Sequence, residues 1–374
     1  MKKILIIGEG DCIFLKDFVR QMYNKNILVD LLTFNGKAEI GYSRKQVNIL
    51  LNTAQRNRLK NKIFFCYAIK KGLGEFDEKY DCIIIHFVHF FLSFFIILIK
   101  MKTKNLVLNI LGSDFCRVKG WRALLQKVIY LSSNKIVFTN PETKKRFHKK
   151  NFFIPKTKLK IARFGLPVLD EINKFQLKKL SREDACKKFG FPEEKIIIAA
   201  GYNAHRSQMQ TLIIKKFALL PENIRKKGFL VFHLGYGDPS TKQIILSELE
   251  KNKILNYSII DNFLGYADIA ELRCCTDVLI NIQPSDQFSA SMQEVLYSGG
   301  RIIAGSWLPY QELIENKAAI RLIDTTDGIG EALALEISAG KKQHLFPQKS
   351  VIEFIDRSST WKENIEIWAN IIFG

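Results

Sequence analysis

Residues 277–305 read DVLINIQPSDQFSASMQEVLYSGGRIIAG. DVLINIQ is a short apolar run and predicts a buried strand. SASMQEVLYSGG opens on hydroxyl-bearing residues and closes on two glycines, the punctuation of a helix start and stop. RIIAG is a second strand. Across the loop and the helix start, two carboxylates, Asp286 and Glu294, stand eight residues apart. A plain amphipathic helix needs none of this Ser and Gly punctuation. A helix start leaves backbone N–H groups unpaired and carries partial positive charge, which suits phosphate oxygens. Ser289, Ala290 and Ser291 are small enough to let a diphosphate approach those amides. Glu294, one turn in, can accept from the vicinal hydroxyls of a ribose, and Asp286 from hydroxyls of a group on the far phosphate. A nucleotide diphosphate-sugar fits that spacing. So does a purely structural account, with Ser289 as N-cap and Glu294 stabilising the helix near its positive end.

The same alternation extends upstream. EKIIIAAGY, GFLVFHLGYGD and YSIIDNFLG predict strands, with helices over about Ser207–Leu220, TKQIILSELEKN and DIAELRCCT between them. The N-terminal half has its own series: KILIIG (3–8), ILVDLLTF, KIFFCYA (62–68), DCIIIH, NLVLNIL and KIVFTN, separated by helical stretches such as GWRALLQKVIYLSS. Continuous apolar runs of this kind belong to parallel strands covered on both faces. LKIARFGLP (159–167) closes the first series, and DEINKFQLKKLSREDACKKFG reads as a connector and entry helix. The expected plan is α/β, with two facing Rossmann-like domains at 1–170 and 171–356. A terminal helix over 357–374 packs back on the first. In such sheets ligands sit beyond the carboxyl ends of the strands, and a cleft between the two domains is the expected site.

At 374 residues the chain is long enough for two domains. Its formal charge of +20 is unevenly placed. Residues 1–200 carry 39 Lys/Arg against 17 Asp/Glu, and residues 201–374 carry 18 against 20. Within 101–163 the ratio is 16 to 2. That asymmetry points to a polyanionic partner, such as an anionic membrane surface or a phosphate-bearing substrate, rather than to a composition bias acting on the whole chain. KKRFHKK (144–150) is a solvated helix end or a phosphate or lipid contact. Nucleic acid is not the expected partner, because the aromatics cluster in 86–95 instead of interleaving with the basic residues. Seven Cys lie scattered without ligand or disulfide spacing, as reduced cytoplasmic thiols do. MKKILIIGEGD reads as a first strand and not as a signal peptide. CIIIHFVHFFLSFFIILIK (82–100) approaches the length of a membrane span, but divides more naturally into a strand and a buried or interfacial helix.

Residues 286–305 resemble the E-x7-E region of the family-4-like glycosyltransferases of the GT-B fold, E-x-F-G-L-x-x-x-E-A-M-A-x-G followed by a strand. Asp286 stands at the first Glu, Phe288 and Ser289 at the Phe-Gly, Glu294 at the second Glu, and Val295–Gly299 at A-M-A-x-G. GYNAHRSQ (201–208) is similar to the loop that holds donor phosphates, with Gly201, Asn203 and Arg206. LGYGD (234–238) matches the next Gly loop at Gly235, and NFLGYADIAELRCCTDVLI the base-binding stretch, with Phe263. LGSDFCR (111–117) resembles the G-S-D-x-x-R loop of bacterial polysaccharide glycosyltransferases.

The resemblance implies donor binding by these residues and by Gly10 of the GEGD loop. It places a catalytic His86 near the transferred sugar, the alternative being a core histidine in an apolar run, and Asp286 on that sugar; Asp114 becomes an acceptor base or anchor, its alternative being a helix cap. It implies no cofactor, and retention of configuration, whereas a more distant likeness to fucosamine transferases implies inversion. No D-x-D pair is present, so no metal is expected. Charge on the leaving diphosphate then falls to backbone amides and Arg206, with Lys215 or Lys216 as further candidates. WLPYQEL (307–313) shapes the cleft wall or packs in the core.

The resulting expectation is a cytoplasmic enzyme at the inner face of the membrane. It transfers a sugar from a nucleotide diphosphate-sugar to a glycan or lipid-linked acceptor of lipopolysaccharide, capsule or O-antigen. A nucleotide-sugar 2-epimerase of the same fold and a non-catalytic polyanion-binding scaffold remain the alternatives.

Overall fold

The computed structural model describes residues 1–10, 12–33, 47–51, 69–71, 73–74, 79–342 and 348–374, with 47–51 described by backbone alone. The expected strand at 62–68, and Asp11 of the GEGD loop, lie outside the described residues. The chain forms two compact units, Met1–Gly165 with Ser359–Gly374, and Leu166–Ser358.

In the first unit, seven parallel strands run in the order β3-β2-β1-β4-β5-β6-β7. They are β1 (Lys3–Gly8), β2 (Leu28–Thr33), β3 (Val47–Leu51), β4 (Cys82–His86), β5 (Leu106–Ile110), β6 (Lys135–Phe138) and β7 (Leu159–Ile161). Side chains alternate across a strand, so each apolar run feeds two cores. Leu5, Ile7, Ile83, Ile85, Leu108 and Phe138 join one, with Ile99, Ile129 and Tyr130 from covering helices. Ile4, Ile6, Ile84, Val107 and Val137 join the other, with Phe18 and Val19. That second core is completed by Trp361, Ile365 and Trp368 of the Trp361–Phe373 helix.

The second unit carries six parallel strands in the order β10-β9-β8-β11-β12-β13. They are β8 (Ile196–Ala200), β9 (Gly228–His233), β10 (Tyr257–Ile260), β11 (Val278–Asn281), β12 (Arg301–Gly305) and β13 (Ile320–Ile323). Pairing of β11 with β8 (Ile280 opposite Ala200) and with β12 (Asn281 opposite Ala304) sets the carboxyl ends of these strands side by side. In both sheets the winding reverses direction once, between β1 and β4 and between β8 and β11. Such switch points leave a crevice at the strand ends where ligands bind.

Several elements differ from expectation. The stretch 170–190 is two helices, Pro167–Leu177 and Arg182–Phe189, the second started by a Ser181/Asp184 capping box. The terminal segment is likewise two helices interrupted at Thr360: Lys349–Ser359, which belongs to the second unit but for Ser359, and Trp361–Phe373 in the first. After β4 the apolar 86–100 run is a 3-10 turn over Phe90–Phe95 and then a short helix, Ile96–Lys102. Among the described residues no helix is long and apolar enough to cross a membrane. β13 escaped notice because it is an edge strand with Arg321 and Leu322 exposed, so its sequence lacks a buried run.

Candidate functional site

β11 ends at Asn281 and hands the chain to a loop that turns into the Ala290–Tyr297 helix. Gln283 in that loop donates from Nε2 to the hydroxyl of Tyr202 (2.7 Å), tying it to the loop after β8. Asp286 is the centre of the arrangement. Its carboxylate accepts from Asn281 Nδ2 (3.1 Å), Gln283 Nε2 (3.3 Å), the Gln287 amide (2.7 Å) and the Tyr310 hydroxyl. Burial, and then the Asp286 charge, push the Tyr310 phenol far up, so it stays a donor. The WLPYQEL segment is therefore internal support: Tyr310 holds Asp286, and Trp307 Nε1 donates to the Gln283 carbonyl (2.8 Å).

Ser289 caps the helix, accepting from the Met292 amide (3.3 Å), as its sequence position predicts. Glu294 departs from expectation. It is buried and takes the Nε of Arg273 on Oε2 at 2.9 Å, while Arg273 Nη2 donates to Ser291 Oγ at 2.9 Å. Arg273 arrives from the Tyr266–Cys275 helix and is itself only 3% exposed. Glu294 is thus not a lone carboxylate at a helix mouth but half of a buried ion pair. Such a pair offsets its desolvation only with good geometry and further hydrogen bonds, and Ser291 supplies one.

Beside it, His233 ends β9, buried and with neither ring nitrogen bonded among the described residues. Burial first, then the Arg273 charge, lower its pKa to about 4, so the ring is neutral at pH 7. Gly235 has no room for a side chain: a Cβ there would lie 2.5 Å from the Asn262 carbonyl and 3.1 Å from His233 Nε2.

The loop after β8 begins at Gly201, whose φ of +76° and closeness to Gln208 (2.7 Å from a built Cβ to Oε1) both require glycine. Asn203 is buried; its Oδ1 accepts from the His205 amide (2.9 Å), and its Nδ2 lies 3.4 Å from the Tyr236 hydroxyl. Met209, at the head of the Gln210–Ala218 helix, sits at φ +56°, a strained conformation for a non-glycine residue. The Arg206 side chain is 73% exposed, 3.7 Å from Asp238. Phe263 is 64% exposed. The Phe288 ring lies 6.3 Å from that of Phe354. Lys215 and Lys216 point elsewhere, to Glu248 (3.9 Å) and Asp327 (2.8 Å), so neither offsets charge at the helix start.

At the other switch point, the β1 end approaches β4 so closely that a Cβ on Gly8 would meet the His86 carbonyl at 2.6 Å. His86 is buried; its Nδ1 is 3.0 Å from Asn109 Nδ2, and its Nε2 has no partner among the described residues. Burial lowers its pKa to about 4. Phe87, next in the chain, has φ +76°, a strained conformation for a bulky residue. Asp114 is not a free acid: Oδ1 accepts from the Gly112 amide (2.8 Å) and Oδ2 from the Val88 amide (2.9 Å). It clamps the two loops together, and Gln126 Nε2 adds bonds to the Val88 and Asp114 carbonyls (2.6 and 2.7 Å). The Gly10 amide donates to Thr33 Oγ1 (2.9 Å).

The fold gathers Asp286, Ser289, Ser291 and Glu294, all named from the sequence, around one helix start, and sets beside them Arg273, Tyr310, Gln283, Tyr202 and His233, which were not among the expected site residues. A lone Arg inside the otherwise uncharged LRCCT was the available signal for Arg273. Among the described residues no three His, Cys, Asp or Glu side chains gather into a possible metal site.

No family model matches the sequence, and no curated protein matches it significantly. Solved structures do match in shape over nearly the whole chain. Sucrose-phosphate synthase (tll1590) from Thermosynechococcus elongatus is similar with a TM-score of 0.75 at 12% identity, covering 99% of this chain and 98% of that one. Anabaena Alr3699/HepE in complex with UDP gives 0.72 at 11%, covering 99% of both. A UDP-forming α,α-trehalose-phosphate synthase from Burkholderia xenovorans gives 0.73 at 10%, again covering 99% of both. These neighbours are glycosyltransferases of the GT-B fold, and the chain has that fold: two Rossmann-like domains, each a parallel sheet with helices.

Proposed function

We propose that the protein is a glycosyltransferase that moves a sugar from a nucleotide diphosphate-sugar to a glycan or lipid-linked acceptor in bacterial surface polysaccharide synthesis. One observation carries the reading. At the β8/β11 switch point, a fixed carboxylate (Asp286) and a buried Arg273–Glu294 pair flank a serine-capped helix start. In this reading the diphosphate lies on the Ser289–Ser291 amides. Oε1 of Glu294, which accepts no hydrogen bond among the described residues, takes the ribose, and Asp286 takes the hydroxyls of the transferred sugar. Arg206 and the Arg273 guanidinium, with no metal and no cofactor, offset charge on the leaving diphosphate. The first unit is proposed to take the acceptor. There His86, buried at the carboxyl end of β4, and Asp114 act as positioning residues, Asp114 through Val88 and Gly112.

Uridine diphosphate is the first donor nucleotide to test, because UDP stands in the names of two of the neighbours above. Thermal-shift titration of purified protein with UDP, GDP, dTDP and CMP, and with their sugars, tests the donor half. A ligand at 100 times its Kd stabilises by about 2.7 kcal/mol. A shift with one nucleoside diphosphate, reduced in Glu294→Gln and in Asp286→Asn only when the sugar is attached, supports the assignment. No shift with any of them removes it in favour of a non-catalytic scaffold. Turnover of nucleotide-sugar without acceptor, to a C2 epimer, selects the epimerase instead. Anomeric configuration of the product, read by NMR, decides between the retention and the inversion that the two resemblances imply.

A further inference from the structure

From residue 82 to residue 141 the chain holds one acidic side chain, Asp114, which is buried, against eight Lys/Arg at 100, 102, 104, 117, 119, 122, 127 and 135. The Ile96–Lys102 and Trp121–Ser132 helices lie in this stretch, and both pack on the same core with their inner residues Ile96, Ile99, Ile129 and Tyr130. They run side by side. Trp121 at one end lies 5.1 Å from the ring of Phe90, and Lys100 at the other donates to Asn134 (3.0 Å).

Their outer faces are not polar. Trp121, Leu124, Val128 and Leu131, at helical spacing, are all exposed, as are Ile97 and Met101 on the neighbouring helix. A helix that is apolar on both faces needs a second apolar environment. The cations stand at its margin with their charged ends over aromatic rings: the Arg122 guanidinium lies over Phe90 and Trp121 (5.4 and 5.6 Å), and the Lys127 ammonium over Phe153 (5.6 Å).

We propose that this two-helix face docks on an anionic phospholipid bilayer, its apolar stripes entering the acyl-chain boundary and Arg122 and Lys127 remaining at the headgroups. Apolar stripes rimmed by cations, with an indole beside an arginine, match the layered polarity of that interface. Charge of one sign over sixty residues calls for a negative partner, and a bilayer needs no matching shape. As a statement of where the acceptor is met, the proposal rests on the glycosyltransferase reading above. The surface itself stands on exposure and charge, and its test reads no activity.

The full chain is sedimented with vesicles of phosphatidylcholine alone and of phosphatidylcholine with phosphatidylglycerol at 7:3. Expected are binding to the anionic vesicles, weakened by added salt, and at least tenfold weaker binding by Leu124→Ser/Val128→Ser. Both positions are exposed, so melting temperature is expected to hold in that variant. Brominated lipid quenches Trp fluorescence in wild type and loses that effect in Trp121→Phe. The proposal falls if wild type stays in the supernatant. Binding unchanged in the double variant overturns insertion and leaves charge alone. A dimer without vesicle binding, broken by the same substitutions, makes a second copy the occupant. A UDP-induced thermal shift retained in the double variant separates this face from the donor site. If that shift is absent from both proteins while vesicle binding persists, the donor assignment falls and the membrane face stands.

Discussion

Glu294 joins two roles that a sequence keeps apart, helix residue and ligand. Removing one partner of a buried pair leaves the other charge desolvated, at a cost of about 3–5 kcal/mol, whereas replacing both by apolar groups is often neutral. Glu294→Met and Arg273→Met alone should therefore each lower unfolding free energy by several kcal/mol, and the double variant should recover most of it. Nucleotide binding should stay lost in all three, which denaturant melts and calorimetry on the same samples will show. Were the double variant to bind nucleotide normally, the pair would be scaffolding only. Two buried histidines give a second handle. His233, lowered to about 4, lets the unfolded chain take up a proton that the folded chain refuses. Its stabilising contribution is present above about pH 6.5 and is lost as pH falls towards 4, by up to about 1.4 kcal/mol per unit. His86 acts in the same sense in the first unit. Asp114 acts against it: burial raises its pKa to about 6, so its contribution is present below the unfolded value near 3.8 and is lost as pH rises through 6. Between pH 4 and 6 the two offset one another. Asp114→Asn removes the offset, so the variant's stability relative to wild type should climb as pH rises from 4 to 6. A flat difference across that window would mean that Asp114 is ionised throughout it.

The β8 and β11 loops owe their form to short-range constraints, and one substitution tests whether loop shape and binding are coupled. Gly201→Ala forces an L side chain into φ +76° and against Gln208, whose Oε1 lies 3.2 Å from the Tyr202 amide. The expected cost is about 1–2 kcal/mol in stability. A larger proportional loss of nucleotide affinity is expected, because Tyr202 anchors the loop that carries Asp286. Equal affinity in the variant would detach the first loop from the donor site. This coupling also shows what the sequence could disclose. Strand runs, the 285–300 helix start and its two carboxylates were legible because they depend on local pattern. Arg273, Tyr310 and Tyr202 were not, since each meets its partner across 21, 24 or 81 residues of chain (Arg273 to Glu294, Tyr310 to Asp286, Tyr202 to Gln283). Register and strand order alone decide those meetings. β13 stayed hidden for another reason: an edge strand with exposed side chains has no burial pattern to betray it.

The molecule's two units are unequal in how the chain builds them. The second is continuous, Leu166–Ser358, while the first is finished only by the last sixteen residues, Ser359–Gly374. Trp368 is the pivot of that closure. It is 1% exposed, its ring lies 5.1 Å from Phe18 and 5.5 Å from Phe164, and its Nε1 donates to the Arg163 carbonyl at 3.0 Å. Asn364 adds an acceptor for the Arg163 amide (3.2 Å), and Trp361 fills the space over Gly165. Burial of this kind makes a terminal helix part of a core rather than a tail, so truncating it acts as a core mutation. Trp368→Ala should lower the stability of the first unit by about 3–5 kcal/mol. Hydrogen exchange resolves the two units: amides of β1, β4 and β5 should lose protection by a factor of a hundred or more, while those of β8, β11 and β12 keep theirs. The donor nucleotide, held by the second unit in the proposed function, should still raise protection around Asn281 and the Ala290–Tyr297 helix in this variant. Loss of protection in both sheets together would instead show that the units unfold as one, and would tie donor binding to the integrity of the whole chain.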